Sequence, residues 1–248
     1  MGGKVKVGGT AYDVSPGKVK VGGTAYSILY GKTKIGGTAH TISFSPIPSE
    51  YQEVEYITGS GTQYIRLPID SDDNLKLEFE VKGLDSDGYF CAIGAYSSTA
   101  KNQYFMIQDT GSARKYYAYM TNRLVQTSVS ADYHDSTNIH TVYVDFASYA
   151  NKPSITVDGV TTTATSNVTT DHEIGRPMYL FSRGTNTTGR GKGSFGKVKA
   201  YRVVGGTVLM DLYPCYRKSD NVVGMYDLIS ETFLENIGTG SFTAGPTV

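Results

Sequence analysis

His140-Thr-Val-Tyr-Val-Asp145 and, shortly after it, Ser154-Ile-Thr-Val-Asp-Gly159 decide how this chain is read. In both, apolar and polar residues alternate with a period of two, the pattern of a strand with one face buried and one wet. The second stretch runs into Asp158-Gly159, a turn pair, after which polar residues resume. The same grammar extends outward in both directions. Strands are expected at 52–57, 62–67, 75–82, 88–95, 103–109, 115–120, 123–130, 139–146, 153–158, 177–182, 195–204 and 207–213. Turn clusters separate them, among them Gly59-Ser60-Gly61, Asp70–Asn74, Asp85–Gly88 and Gly184–Gly193. Many short strands with regular turn signals mean a sandwich or a barrel. A dozen strands exceed an immunoglobulin-like unit of about 100 residues and fit a two-sheet antiparallel jelly roll. The expected fold class is therefore all-β.

Composition agrees. Tyr reaches 20 in 248 residues, Trp is absent, and Thr, Val, Ser and Gly outnumber the good helix formers. No apolar run approaches the ~18 residues of a membrane span, and the N-terminus lacks the charged-then-apolar pattern of a signal peptide. Cys91 and Cys215 are too few for a disulfide framework. Cys91 lies in the apolar run Tyr89–Tyr96 and reads as a buried free thiol, so folding in a reducing cytoplasm is expected.

The first 44 residues are different. A unit of 14 residues occurs three times, beginning at Gly3, Gly17 and Gly31: GKVKVGGTAYDVSP, GKVKVGGTAYSILY and GKTKIGGTAHTISF. Each reads as a hairpin: a short alternating strand, a Gly-Gly turn and a return strand. A second turn is expected at Ser15-Pro16-Gly17 and at Tyr30-Gly31. Units this short bury no core of their own and must stack on something. A six-strand meander with Val5, Val7, Val19, Val21 and Ile35 in one apolar row would need a cover. Six lysines against Asp13 leave residues 1–44 at +5, and the other 17 bases and 22 acids leave the remainder at −5. The lysines alternate with Val or Ile and read as a solvated strand face; with no global basic excess, nucleic acid is not an expected partner. Ser45–Glu50, with Pro46 and Pro48, reads as a semi-rigid linker. The domains expected are thus 1–44, an assembly module; 45–50, the linker; and 51–248, the jelly roll.

Three stretches of that second domain resemble the concanavalin A-like, laminin-G-like jelly-roll superfamily: His140–Asp145, Ser154–Gly159 and Gly193-Ser-Phe-Gly-Lys-Val-Lys-Ala-Tyr-Arg202. A closer resemblance is to virion proteins of phages and prophages of Gram-positive and gut bacteria. Tyr51-Gln-Glu-Val-Glu-Tyr-Ile-Thr-Gly-Ser-Gly-Thr-Gln-Tyr-Ile65 resembles their opening motif. Pro214–Leu228 and Asn236–Pro246 resemble their closing one. Arg66-Leu67 stands where those proteins often have Asp-Thr. The repeats also resemble N-terminal segments of phage tail and fibre proteins. The resemblance implies a virion component made in the bacterial host cytoplasm. It implies docking to other virion proteins through residues 1–44, assembly as a homo-oligomer such as a trimer, and a host surface glycan as the outward partner, without membrane insertion.

The chemistry legible in the residues is that of binding. A glycosidase needs two carboxylates flanking one sugar bond, and the hydrolytic members of the superfamily carry E-x-D-x-x-E on one strand. Glu53-Val-Glu55 and Glu78-Phe-Glu80 are same-face pairs without a third acid and read as solvated faces. No Gly-x-Ser-x-Gly elbow is present, His40, His134, His140 and His172 lack metal-ligand spacing, and no catalytic residue is assigned. A polysaccharide-degrading enzyme ranks third, behind a glycan-binding tail or fibre component and a purely structural head-fibre or decoration protein. The expected sugar surface combines Tyr104, Arg114, Tyr117, Tyr119 and Asn122, with Gln103 as a neighbour and Tyr116 facing the other way. Arg183, Asn186 and Arg190 of the Gly-rich loop complete it. No cofactor is expected beyond Ca²⁺, for which Asp85 and Asp87 are the candidate ligands and Asp70–Asp73 supplies further acids.

Overall fold

The structure is a computed structural model. It describes residues 3–7, 10–14, 18–21, 24–27, 30–35, 38–43, 45–72, 74–82, 89–96, 103–109, 114–120, 123–126, 138–146, 152–167, 175–184, 191–202 and 205–248. Among these every regular element is a strand. The chain divides into two compact units, Met1–Tyr51 and Gln52–Val248.

In the first unit the strands are β1 (Gly3–Val7), β2 (Thr10–Val14), β3 (Lys18–Val21), β4 (Thr24–Ser27), β5 (Tyr30–Ile35) and β6 (Thr38–Ser43). They pair within each repeat as three separate two-stranded sheets, not as one six-strand meander. The Gly-Gly pairs and Ser15-Pro16-Gly17 lie outside the described residues, but the flanking registers Val7↔Thr10, Val21↔Thr24 and Ile35↔Thr38 match hairpins. The turn expected at Tyr30-Gly31 is instead ladder, with Tyr30 opposite Ser43 and Gly31 opposite Ile42. After the third hairpin the chain turns at Pro48, whose carbonyl accepts the Tyr51 N–H at 3.0 Å.

The second unit begins with β7 (Tyr51–Glu53), β8 (Ile57–Ser60), β9 (Ile65–Asp70), β10 (Leu75–Lys82) and β11 (Tyr89–Ala95). It continues with β12 (Gln103–Asp109), β13 (Arg114–Met120), β14 (Arg123–Gln126), β15 (His140–Asp145), β16 (Ser154–Val157) and β17 (Val160–Thr163). The last six are β18 (Pro177–Leu180), β19 (Lys192–Arg202), β20 (Val208–Arg217), β21 (Val223–Asp227), β22 (Thr232–Leu234) and β23 (Thr243–Ala244). They form two antiparallel layers. The first runs β17-β16-β15-β10-β19-β20-β21-β22, and the second β9-β18-β11-β12-β13-β14. Strand β19 belongs to two ladders on one edge: Lys192–Phe195 pairs with β8, and Val198 onward pairs with β20.

Alternation explains the layering. Along β10, Leu75, Leu77, Phe79 and Val81 are buried while Lys76, Glu78, Glu80 and Lys82 point out; β15 repeats the pattern with Val142 and Val144 inward. Burying each such side chain is worth about 1.5–3 kcal/mol. Aromatic edges tie the layers together: Phe79 of β10 meets Phe105 of β12 at 4.7 Å and Phe195 of β19 at 5.9 Å. Phe181 then packs on Phe195 at 5.0 Å and on Phe242 at 4.8 Å.

Three departures from the expected strands have local causes. Residues 52–57 do not form one strand. The ladder breaks at Val54–Tyr56, where Val54 N–H goes to the Pro214 carbonyl and Glu55 N–H to that of Pro246. The expected strand 62–67 begins later, at Ile65, because Gln63 Oε1 takes the Ser60 and Thr62 N–H groups and folds Ser60–Gln63 into a turn. Strands β17 and β21–β23 are too short or too polar to read from periodicity.

Candidate functional site

The outer face of the second layer carries a row with aromatic rings on either side of Gly94. In register across five strands lie Tyr119 of β13, Tyr104 of β12, Gly94 of β11, Tyr179 of β18 and Arg66 of β9. Four inter-strand steps of about 4.8 Å make the row roughly 19 Å long. Tyr104 and Tyr119 stack at 5.3 Å with their planes 5° apart, and Tyr96 tilts against Tyr104 at 6.3 Å. Tyr117, two residues before Tyr119, joins the same cluster. At the other end of the row Arg66 lies over the Tyr179 ring at 5.9 Å, and Tyr64 meets Tyr179 edge-on at 5.8 Å.

Arg183 reaches this row from the segment that follows β18. Its guanidinium carbon is 4.6 Å from the Tyr96 ring centre and 5.5 Å from that of Tyr104. Burial raises the Tyr104 pKa, and the Arg183 charge works against that rise. The chain places Arg183 here through Phe181, whose φ of 61° is unusual for a bulky side chain. Leu180 and Phe181 both point into the core, so the strand's alternation is broken and Arg183 emerges outward. Such a conformation costs of order 1–3 kcal/mol and persists only where its surroundings enforce it. Here Phe195 and Phe242 hold the Phe181 ring. Gly94 is the other local device: a Cβ there would come within 2.4 Å of the Tyr104 Cα, so only glycine lets β12 approach this closely.

The sugar surface expected from sequence is thus assembled in part. Tyr104, Tyr117, Tyr119 and Arg183 come together. Tyr116 faces the core. Gln103 does not join them: it is buried, and its side chain closes a pair of hydrogen bonds with the Asp72 backbone, at 3.1 and 2.7 Å. Arg114 stands at the far end of β13, opposite Asp109 rather than beside Tyr119. Asn122, Asn186 and Arg190 lie outside the described residues, as do the calcium candidates Asp85 and Asp87. The nearby acids Asp70 and Asp72 are taken by Arg66 at 2.5 Å and Arg202 at 2.6 Å. Among the described residues no three His, Cys, Asp or Glu side chains come together as a metal site. Sequence reasoning missed Tyr96, Tyr179, Arg66 and Gly94; the one available signal was a glycine inside an apolar strand, a mark of close backbone approach.

His140 and Cys215 have structural surroundings. His140 Nδ1 lies 2.6 Å from Asp158 Oδ2, and Asp158 Oδ1 accepts the Thr141 N–H, fastening β15 to the β16–β17 turn. Cys215 is a buried free thiol whose pKa burial pushes up to about 12.

No protein-family profile matches the chain, and no curated protein does. Solved structures do. A native heptameric SAP-like pentraxin from Limulus polyphemus aligns over 79% of this chain and 95% of its own, with a TM-score of 0.51 and 8% identity. Domains LG4-5 of the mouse laminin α1 chain align over 66% of this chain and 44% of their own, with a TM-score of 0.44 and 15% identity. At such identity the pentraxin likeness speaks for the fold alone. With two antiparallel layers and this likeness in fold, the second unit is a two-sheet antiparallel jelly roll.

Proposed function

We propose that this chain is a phage virion component, a tail or fibre protein, whose jelly roll binds host cell-surface carbohydrate without cleaving it. The observation that carries the binding half is the row Tyr119–Tyr104–Tyr179 with Arg183 and Arg66 at its edges. Aromatic faces pack against the apolar faces of sugar rings, while phenol and guanidinium groups meet the hydroxyls. The virion half rests on the resemblance of Tyr51–Ile65, Pro214–Leu228 and Asn236–Pro246 to phage motifs, with residues 1–44 as the attachment to other virion proteins. A homo-oligomer, with a trimer as the expected form, would multiply weak single-site affinity; the pentraxin of similar fold is itself heptameric. The test is binding of the full chain to intact Gram-positive and gut bacterial cells, before and after periodate oxidation of their surface glycans. Binding that periodate abolishes supports the reading, and periodate-insensitive binding or none overturns it.

The burial of Tyr104 and Tyr117, at 6% and 7% exposure, favours a second reading. In it the cluster is packing, and the protein is a head-fibre or decoration component with no ligand. Absence of cell binding together with incorporation into particles selects it.

A further inference from the structure

The outer face of the first layer, on the opposite side of the sandwich, holds a separate cavity of about 180 Å³. It is lined by Glu78 and Glu80 of β10, Thr141 of β15, Lys197 and Lys199 of β19 and Tyr213 of β20. The registers place Glu78 between Tyr143 and Lys199, and Glu80 beside Thr141.

Each carboxylate is fixed by one oxygen. Glu78 Oε1 accepts the Tyr143 hydroxyl at 3.2 Å, and Glu80 Oε2 accepts the Lys197 backbone N–H at 3.0 Å. Gly196 makes the second bond possible. The ladder between β10 and β19 slips between Phe79 and Val81, and a Cβ at Gly196 would sit 2.4 Å from Glu80 Oε2. Both lysines face other acids. Lys197 Nζ goes to Glu53 at 3.4 Å and over the Tyr213 ring at 4.7 Å, and Lys199 goes to Asp211 at 3.2 Å. Among the described residues neither Glu78 nor Glu80 pairs with a cation, so each keeps its second oxygen for a ligand. The surrounding phenols register the resulting negative field: Tyr143 is raised first by the Glu78 charge, and Tyr213 by burial and then by Asp211, Glu53 and Glu80.

We propose that this cavity binds the protonated primary amine of a glucosamine-type sugar, with Glu78 and Glu80 accepting its N–H donors. Residues two apart on one strand face are roughly 6.5 Å apart, and rotation of the two flexible side chains brings their carboxylates to opposite sides of one ammonium, which donates an N–H bond of about 2.8 Å to each. Thr141 and Lys199 flank it with donors for ring hydroxyls, and the Tyr213 ring supplies an apolar wall. N-acetylation would remove the charge and leave two carboxylates facing an amide. The inference borrows from the reading above only that the ligand is a carbohydrate. Its residues are on the other face.

The experiment is isothermal titration of the full chain with fully deacetylated chitotetraose and with its N-acetylated counterpart. The amine form is expected to bind at least tenfold more tightly, with affinity falling as salt rises. Glu78→Gln and Glu80→Gln, which keep side-chain shape, are each expected to weaken it at least tenfold. Tyr119→Ala, on the opposite face, is expected to leave this titration unchanged while reducing cell binding, so the two readings fail separately. Equal affinity for both oligomers, undetectable binding of the amine form at millimolar concentration, or binding that survives both glutamine variants overturns the proposal.

Discussion

Asn236 holds the backbone of Tyr64: its Oδ1 accepts the Tyr64 N–H at 3.0 Å, while Ile237 N–H returns a bond to the Tyr64 carbonyl at 2.9 Å. The same oxygen takes Gly238 N–H at 2.8 Å, and Asn236 Nδ2 donates to the Gly240 carbonyl at 2.9 Å. Around this contact the opening and closing motifs interlock. Gln63 Nε2 donates to the Ser241 carbonyl, Thr62 and Thr239 exchange bonds, and β23 pairs with β8. Within the closing motif, Arg217 lies between Asp220 and Glu235, each at 2.7 Å, and its hydrogen bonds to Asp220, with that of the Val222 N–H, lower the Asp220 pKa. Thr62–Tyr64 and Asn236–Ala244 are therefore a clasp that closes the second unit on itself.

Replacing Asn236 by Ala orphans the Tyr64 and Gly238 amides. Leaving part-buried donors without an acceptor costs about 1–3 kcal/mol. Chemical denaturation of Asn236→Ala is expected to show a lower midpoint with an unchanged slope, and a stability equal to that of the parent chain would show that the clasp is not needed.

Gly94→Ala drives a methyl group toward the backbone of Tyr104. Overpacking of this kind costs typically 1–3 kcal/mol. Because Tyr104 stacks on Tyr119, the variant is expected to lose near-ultraviolet tyrosine dichroism together with its thermal stability. A spectrum identical to the parent's would mean that β11 and β12 can separate freely.

Tyr119 is the half-exposed member of the stacked pair, so its truncation tests binding more than folding. An aromatic pair is worth about 0.5–1.5 kcal/mol beyond its area. Tyr119→Ala is expected to reduce cell binding roughly two- to tenfold by that measure, and Tyr119→Phe to retain most of it. Equal binding by the parent and the alanine variant would remove Tyr119 from the ligand surface.

Alkaline pH should destabilise the fold. Burial, and then Asp211 and its neighbouring carboxylates, raise the Tyr213 hydroxyl from 10.0 to about 12; burial raises the Cys215 thiol from 9.0 to about 12. Between those pairs of values the unfolded chain releases protons that the folded chain retains, so stability falls as pH rises from about 9 to 12. Denaturation midpoints at pH 8 and pH 11 measure the fall, and Tyr213→Phe should make it shallower. A variant as alkali-sensitive as the parent would assign the loss to other groups.

How much of this was legible beforehand follows from which interactions are local. The alternation in Leu75–Lys82 and His140–Asp145 dictated strands and their buried faces, because side chains on a strand point to opposite sides whatever lies beside it. The pairing of Tyr117 with Tyr119, and the opposite facing of Tyr116, followed from the same period. Strand β9 starts later than the alternation predicts because the Gln63 side chain, a feature periodicity cannot see, supplies the turn that delays it.

The sequence by itself determined an all-β chain, three hairpin repeats ahead of a larger sandwich, and which residues of each long strand turn outward. Only the tertiary structure decided which outward residues become neighbours. Arg183 meets Tyr96 and Tyr104 because β18 lies beside β11 and because Phe181 adopts a left-handed backbone that breaks its strand's alternation. Glu78 and Glu80 gain a cavity because β15, β19 and β20 assemble around β10. Strand order is set by the burial of both layers at once, a condition that no single segment carries.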